Sequence, residues 1–238
     1  MKIIASNFKT NHTRKSTKKF VENINIFLEK ENIENKVYIF PPSTALDSFT
    51  TVNNLNIGTQ NAYYTQKGSF TGEIGVEQLE EFDIKTILIG HSERRHILGE
   101  TQKEISNKYN YYKDLGYKII YCVGEPLEVK EKGITEVLSY IWEQFNGIGL
   151  DYKDLVIAYE PVWAIGTGKV ASIEDIENIH NELKKKITQP LLYGGSVKPS
   201  NLKDILEISN VDGTLIGTTS WDENSFKEMI EITRNIGK

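Results

Sequence analysis

Short apolar runs alternate along the chain with longer segments in which apolar residues recur at helical spacing. Recurrence at every third or fourth position indicates one face of an amphipathic helix, whereas a short unbroken apolar run is typical of a strand buried on both faces. The two clearest helical stripes are Phe20, Val21, Ile24, Phe27 and Leu28, and Ile173, Ile176, Ile179, Leu183 and Ile187. We expect each stripe to cover one face of a sheet.

The unbroken apolar runs predict eight strands, at residues 2–8, 36–40, 56–61, 86–90, 118–124, 155–160, 191–195 and 213–217. Helical segments fall between and after them, and this alternation favours right-handed crossovers between parallel strands. Eight such units within 238 residues favour a closed barrel over an open doubly wound sheet. We therefore predict the α/β class and a single-domain (β/α)8 TIM barrel that spans residues 1–238.

Composition narrows the class of protein. The net charge is −5 and no long run of Lys and Arg occurs, which argues against nucleic acid as a partner. No apolar run approaches the length of a membrane span, and the first residues are too polar for a signal peptide. The single cysteine, Cys122, has no partner for an internal disulfide, which fits a reducing compartment. We expect a soluble, cytoplasmic domain.

Polar residues follow the carboxyl ends of the predicted strands. They are Asn7 and Lys9 after the first strand, Gln60 and Asn61 at the third, His91 after the fourth, Cys122 and Glu125 at the fifth, Glu160 at the sixth, YGGSV (193–197) at the seventh and GTTS (217–220) at the eighth. The carboxyl ends of barrel strands lie on one common face, which is where barrel active sites form. The sequence therefore predicts that these residues converge.

Each of these residues also has a structural interpretation. Glu160 could stabilise a helix N-terminus, although Pro161 and the loop after it predict no early helix. His91 could be a structural histidine, but its place just before a helix start disfavours protonation and favours a neutral hydrogen-bond donor. Lys9 could be a solvated surface lysine, and Cys122 is better explained as small apolar packing than as a nucleophile. His12, His96 and His180 are interpreted as structural or surface residues.

Two tempting motifs fail on their spacing. The segment IGTGKV ends in Gly-Lys like a phosphate-binding P-loop, but Trp163 and Val170 stand where that motif needs Gly and Ser or Thr. No GxGxxG fingerprint follows the first strand, and HSERRH has no metal-ligand spacing. We predict no nucleotide cofactor and no metal.

The remaining residues favour proton transfer on a small phosphorylated substrate. One carboxylate, one histidine and one lysine share a face with two glycine-rich turns, where barrels often bind phosphate. We expect Gly194, Gly195 and Gly217 to let the backbone approach an anion, so that their N–H groups can point at its oxygens. A base would remove a proton beside a carbonyl, and a neutral histidine with a lysine would stabilise the resulting enediolate.

Seven ordered motifs give the chain a close resemblance to the triosephosphate isomerase family. They are NFKTN (7–11), TGEI (71–74), GHSERR (90–95), CVGE (122–125), AYEPVWAIGTGK (158–169), YGGSV (193–197) and DGTLIG (212–217). The resemblance implies interconversion of dihydroxyacetone phosphate and glyceraldehyde 3-phosphate through an enediolate, in glycolysis and gluconeogenesis and without a cofactor. It also implies that Glu160 is the base and that neutral His91 polarises the carbonyl. Asn7 and Lys9 would add a hydrogen bond and a positive charge.

The resemblance assigns supporting and phosphate-binding roles as well. Glu93 would orient Lys9, and Ser92 would hold Glu160 in the empty site. Residues 161–169 would form a lid. The phosphate would be held by backbone N–H groups of Gly166, Ser196, Gly217 and Thr218. Thr218 stands where the family has a glycine.

A homodimer is the remaining implication of the resemblance. The loop 63–74, with Phe70 and Thr71 near its tip, would enter a neighbouring subunit beside Lys9 and His91. The structural alternative is a flexible surface loop. Two other functions stay open: another (β/α)8 phosphosugar isomerase or epimerase, and a non-catalytic phosphate-binding protein.

Overall fold

The computed structural model describes residues 1–165 and 170–236. Within them, eight strands alternate with helices along the chain. The strands are β1 (Ile3–Asn7), β2 (Lys36–Phe40), β3 (Leu55–Ile57), β4 (Thr86–Ile89), β5 (Lys118–Val123), β6 (Leu155–Tyr159), β7 (Leu191–Tyr193) and β8 (Gly213–Ile216). The α-helices are α1 (Arg14–Lys30), α2 (Val76–Glu81), α3 (Ser92–His96), α4 (Gln102–Asp114), α5 (Leu127–Lys130), α6 (Ile134–Glu143), α7 (Ile173–Lys184), α8 (Pro199–Glu207) and α9 (Glu223–Arg234).

The strands form one parallel sheet in the order β3-β2-β1-β8-β7-β6-β5-β4. Its two edges meet at a single parallel bridge between Thr59 and Ile87. There the Thr59 backbone N–H donates to Thr86 O at 2.9 Å, and the Leu88 N–H donates to Thr59 O at 2.9 Å. The predicted single barrel, rather than an open doubly wound sheet, is confirmed.

Two apolar layers flank the strands, because every strand except β3 buries residues on both faces, whereas in β3 only Leu55 is buried. One layer joins strand residues to the helices outside the sheet. The other fills the barrel with strand residues alone: Ile3, Ala5, Tyr38, Phe40, Leu88, Ile120, Cys122, Val156, Ala158, Leu192 and Leu215. Burial on both faces explains why the strands read as unbroken apolar runs in the sequence.

The helical stripes cover the sheet, and the exception is Ile173 at the start of α7. The buried face of α1 consists of Phe20, Val21, Ile24 and Leu28, and the partly buried Phe27 packs against the same layer. In α7 the residues Ile176, Ile179 and Leu183 are buried. Ile173 is 41% exposed in the first turn, where Ser172 caps the helix by accepting from the Asp175 N–H. Ile187 lies beyond the helix end but is still buried.

No helix in the described part of the chain is both long and apolar enough to cross a bilayer. Most predicted strands end within one residue of the observed carboxyl end, but 56–61 extends four residues past the end of β3 and 191–195 extends two residues past the end of β7. In these stretches the chain leaves the ladder to place polar side chains and glycines at the mouth of the barrel. The misassigned residues are therefore the ones nearest the candidate site.

Candidate active site

His91 and Glu160 meet at the carboxyl ends of β4 and β6. His91 is the N-cap of α3, and Glu160 directly follows β6. The His91 Nδ1 atom accepts a hydrogen bond from the Glu93 N–H at 3.2 Å, which leaves the ring proton of a neutral imidazole on Nε2. Nε2 lies 3.1 Å from Glu160 Oε1 and donates to it. The histidine thus directs its Nε2 atom at a carboxylate.

Glu160 is buried, and the backbone around it fixes its position. Its N–H donates to Val123 O at 2.7 Å, and its Oε2 accepts from the Ser92 N–H at 2.9 Å. The neighbouring strands approach so closely that only glycine fits beside it. A Cβ on Gly124 would lie 1.7 Å from Glu160 O, and one on Gly194 would lie 2.8 Å from Glu160 Cγ. The acid therefore sits in a pocket shaped by glycines.

The expectation that no helix begins close after Glu160 is wrong. A short 3-10 helix runs over Val162–Ala164, directly after Pro161. The Glu160 carboxylate nevertheless turns away from that helix and accepts from Ser92, the first residue of α3. Glu160 therefore does contact the N-terminus of a helix, as the structural interpretation supposed. That helix is α3, which follows β4, and not the helix that follows Glu160 in the chain.

Lys9 adopts a conformation that few residues other than glycine adopt. Its φ is 52°, and the left-handed region costs about 1–3 kcal/mol for a residue with a side chain. Its N–H donates to Asn7 Oδ1 at 3.0 Å, and its carbonyl accepts from Gln60 Nε2 at 2.9 Å. Its Nζ forms a 2.6 Å ion pair with Glu93 Oε1. These contacts hold the ammonium group at the rim of the barrel.

A cavity of about 270 Å³ brings these groups together with the turns after β7 and β8. Asn7, Lys9, His91 and Glu160 line one side of it. The other side is formed by Ile165, Gly194, Gly195, Ser196, Val197, Lys198, Leu215, Ile216, Gly217, Thr218 and Thr219. Within the described residues, the N–H groups of Ser196, Gly217 and Thr218 donate to no backbone carbonyl or side chain, so they are free to bind an anion.

The remaining predicted site residues are distributed as follows. Gly166 and the lid residues 166–169 lie outside the described residues. The Ser196 hydroxyl donates to Ala164 O at 2.6 Å. Gln60 and Asn61 line a second, larger groove beside Lys9 and His91. Lys198 and Thr219 line the small cavity but received no role from the sequence, although Lys198 directly follows the YGGSV turn.

Cys122 and Glu125 stand apart from the cavity. Burial, reinforced by the nearby Glu160 charge, raises the pKa of the Cys122 thiol, so it stays protonated and packs in the barrel interior. Glu125 accepts hydrogen bonds from Trp163 Nε1 at 2.8 Å and from the Tyr159 hydroxyl at 3.1 Å. Burial raises the pKa of Glu125 as well. Neither group is among the described residues that line the cavity.

The other three histidines are structural or exposed. His12 stacks on Phe8, with a ring-centroid distance of 4.3 Å, and its Nε2 lies 3.0 Å from Trp221 O. His96 is exposed at the end of α3. His180 is fully buried on α7, and its burial lowers its pKa to about 4. Across residues 1–165 and 170–236, no group of three or more His, Cys, Asp or Glu side chains is placed to hold a metal ion.

The fold and the site define a protein of the α/β-barrel class whose cavity holds a buried carboxylate in contact with a histidine, beside the turns after β7 and β8. Comparison with known proteins gives the family. The family model for triosephosphate isomerase matches residues 2–233. The chain therefore belongs to the triosephosphate isomerase family.

Similar proteins cover nearly the whole chain. Triosephosphate isomerase from Sulfurimonas denitrificans is 54% identical over 99% of this chain and 98% of the relative. The protein of the same name from Sulfurovum sp. is 53% identical over 96% and 99%, and the one from Wolinella succinogenes is 52% identical over 96% and 99%. These identities support assignment of this chain as an isomerase.

Proposed function

We propose that this chain interconverts dihydroxyacetone phosphate and D-glyceraldehyde 3-phosphate by proton transfer within one barrel domain. The observation that carries the proposal is the contact of 3.1 Å between His91 Nε2 and Glu160 Oε1, in a cavity that also contains Lys9. Membership of the triosephosphate isomerase family supports the same reaction.

The chemical step follows from the three side chains. The Glu160 carboxylate takes a proton from C1 of dihydroxyacetone phosphate, and the electron pair of that C–H bond forms the C1–C2 double bond of an enediolate. The charge that develops on the carbonyl oxygen is stabilised by the His91 Nε2–H and the Lys9 ammonium. A proton then moves from the C1 hydroxyl to the C2 oxygen. Return of the first proton to C2 leaves the carbonyl at C1 and gives the aldehyde. Substrate binding must break the His91–Glu160 hydrogen bond, because the same N–H then serves the substrate.

The phosphate of the substrate binds at the opposite side of the cavity. We assign it to the free backbone N–H groups of Ser196, Gly217 and Thr218, with Gly166 as a further donor on the strength of the family resemblance. Asn7 adds a hydrogen bond, while Glu93 and Ser92 hold Lys9 and Glu160 in place. Backbone donors suit this task because they point at an anion without a change of conformation.

An assay for triose phosphate interconversion in D₂O tests the proposal. We expect turnover that persists in a chelator, with solvent deuterium incorporated beside the carbonyl. Well-folded protein without this activity would contradict the proposal. An epimerase would instead invert one stereocentre of a larger phosphosugar, and a non-catalytic binder would take up phosphate without exchange.

We propose further that two copies associate through the loop 63–74. A groove of about 790 Å³ beside Lys9 and His91 is bordered by Ile97 and Leu98, which are 76% and 67% exposed. The loop itself presents Phe70 and Thr71 to solvent. A second copy of the loop is the occupant that we assign to the groove, because apolar side chains so exposed are typical of an interface.

Sedimentation of the wild type and of Thr71→Arg tests the association. We expect a dimer for the wild type, and for the variant a monomer with reduced turnover, since the groove opens onto Lys9 and His91. A wild type that sediments as a monomer with full activity would contradict the association. We also propose a cytoplasmic location and a role in glycolysis and gluconeogenesis, which the single cysteine and the family reaction support.

A further inference from the structure

We propose that Arg95 is a positioning residue, which fixes the placement of His91 relative to Glu160 by tying the carboxyl end of β4 to that of β5. The inference rests on the proposed function, in which those two side chains carry the proton transfer. Arg95 is not among the described residues that line the small cavity. Its effect on the reaction must therefore act through its neighbours.

The guanidinium of Arg95 donates four hydrogen bonds. Its Nε donates to Gly90 O at 2.7 Å, and its Nη2 donates to Cys122 O at 3.1 Å. Its Nη1 donates to Gln102 Oε1 at 2.8 Å, and Nη2 also reaches the Tyr121 hydroxyl at 3.0 Å. The N–H groups of a guanidinium lie in one plane with fixed directions, so the carbonyls that they bind are held in a fixed relation to each other.

The guanidinium lies just beyond the point where the backbone hydrogen bonds between β4 and β5 end. The ladder between β4 and β5 ends at the pair Ile89–Tyr121, and Gly90 and Cys122 are the next residues. Gly90 has a φ of 76°, and a Cβ there would lie 2.6 Å from Arg95 Nη2 and 3.1 Å from Cys122 O. Arg95 thus takes up the two carbonyls immediately beyond the last pair of the ladder.

Each of these two carbonyls is linked to one of the side chains that we assign to the proton transfer. The first belongs to the residue before His91, and the Arg95 backbone N–H also donates to His91 O at 3.1 Å. The second belongs to Cys122, and the next carbonyl along β5, that of Val123, accepts from the Glu160 N–H at 2.7 Å. A shift of either strand end therefore changes the position of the imidazole relative to the carboxylate.

Two substitutions separate the effect of the hydrogen bonds between the strand ends from the effect of the positive charge. Arg95→Met keeps the apolar part of the side chain and removes every side-chain donor, whereas Arg95→Lys keeps the charge but loses the planar guanidinium. A displacement of reacting groups by about 1 Å costs on the order of 10²-fold in rate. We expect kcat to fall roughly 10- to 100-fold in Arg95→Met and less in Arg95→Lys. The KM and the inhibition constant of inorganic phosphate should stay within about twofold, because the phosphate donors lie on other strands.

Tyr121→Phe is the matched control. It removes a hydroxyl that accepts from Arg95 and donates to Gln144 O, but it leaves both carbonyl contacts in place. A merely structural role of the cluster would make this variant resemble Arg95→Met. We expect a lower Tm with kcat within about twofold of the wild type, because the tie between the strands survives.

The NMR resonance of the His91 Nε2 proton, with phosphoglycolate bound, reads the same positioning without turnover. We expect it to shift in Arg95→Met and to stay unchanged in Tyr121→Phe. A kcat within twofold of the wild type in folded Arg95→Met, or an equal loss in Tyr121→Phe, would overturn the proposal. Should Arg95→Met not fold, Arg95→Lys is judged by the same criteria. If the wild type lacks isomerase activity the proposed function fails, but the His91 resonance still decides the role of Arg95.

Discussion

On one side of the cavity, formed by residues after β1, β4 and β6, polar side chains bind one another: His91 donates to Glu160, and Lys9 pairs with Glu93. We call this the proton-transfer side. On the phosphate side, formed by the turns after β7 and β8, the backbone donors of Ser196 and Gly217 have no partner within the described residues. Before a ligand binds, the polar groups of the first side are therefore already bonded to one another, whereas the donors of the second side are unoccupied in the described part of the chain.

The difference fits the task that we propose for each side. A base and an electrophile must be held within a fraction of an ångström, and side-chain hydrogen bonds provide that precision before the substrate arrives. An anion needs several donors at once, and backbone N–H groups provide them without side-chain entropy to lose. Substitutions on the proton-transfer side should therefore lower kcat, whereas substitutions on the phosphate side should weaken binding.

The largest expected effect is on the proton-transfer side, at Glu160. Glu160→Gln keeps the shape of the side chain but removes the base, and general base catalysis contributes on the order of 10²–10⁴ in rate. We expect kcat to fall by roughly 10³-fold with KM nearly unchanged. Glu160→Asp, which withdraws the carboxylate by one methylene, should lose on the order of 10²-fold. Steady-state kinetics in both directions measure the loss, and near-normal turnover of either variant would remove Glu160 from the role of base.

Lys9 tests whether the two sides are separable. A Cβ on Gly217 would lie 3.2 Å from Lys9 Cε, so the lysine stem lies against the phosphate turn while its ammonium serves the proton-transfer side. We expect Lys9→Met to lower kcat by on the order of 10²-fold, because one preorganised charge is lost. KM should rise as well. Measuring both parameters decides the point, since a change in kcat alone would place Lys9 on the proton-transfer side only.

Thr218 gives a smaller effect, confined to the phosphate side. Thr218→Pro removes one backbone donor, and a hydrogen bond to a charged group contributes about 1.5–3 kcal/mol. We expect kcat/KM to fall roughly 10- to 100-fold, and inorganic phosphate to bind more weakly in parallel. Thr218→Gly is the matched control, because it keeps the donor and should change activity little. Phosphate affinity like that of the wild type in a folded Thr218→Pro variant would exclude Thr218 as a donor.

The smallest effect on activity is expected at His180, which belongs to neither side. Its pKa is lowered to about 4 by burial, so the unfolded chain binds the proton more readily than the folded one. The stability that this neutral histidine contributes is complete above pH 6.5 and is lost as the pH falls toward 4. The loss should reach roughly 3 kcal/mol.

Urea unfolding of the wild type and of His180→Gln between pH 7 and pH 4 measures this contribution. The wild type should lose more stability over that range than the variant, while the two proteins keep similar kcat/KM at pH 7.5. Parallel pH profiles of unfolding would contradict the buried, neutral state of His180.

The fold could be predicted from the sequence because strands that are buried on both faces appear as unbroken apolar runs. The parallel order then implied that residues at strand ends share one face, which brought Glu160, His91 and Lys9 to the same cavity. The conformation of Lys9 and the tie made by Arg95 left no such trace, because each depends on distances between distant segments. The 3-10 helix after Pro161 was missed because a single short turn carries no periodicity.

The closure of the barrel at Thr59 has a consequence for hydrogen exchange. β5 and β6 share a register of five residue pairs, whereas among the described residues the segment after β3 is joined to β4 only by the bridge between Thr59 and Ile87. Backbone amides whose protection depends on few hydrogen bonds open at low free energy, ahead of global unfolding. The amides of Thr59 and Leu88 should therefore exchange early and those of β5 and β6 late. We therefore expect amide exchange in the sheet to be fastest where the barrel closes. That position borders the groove assigned to the second subunit, because Thr59 lines the groove.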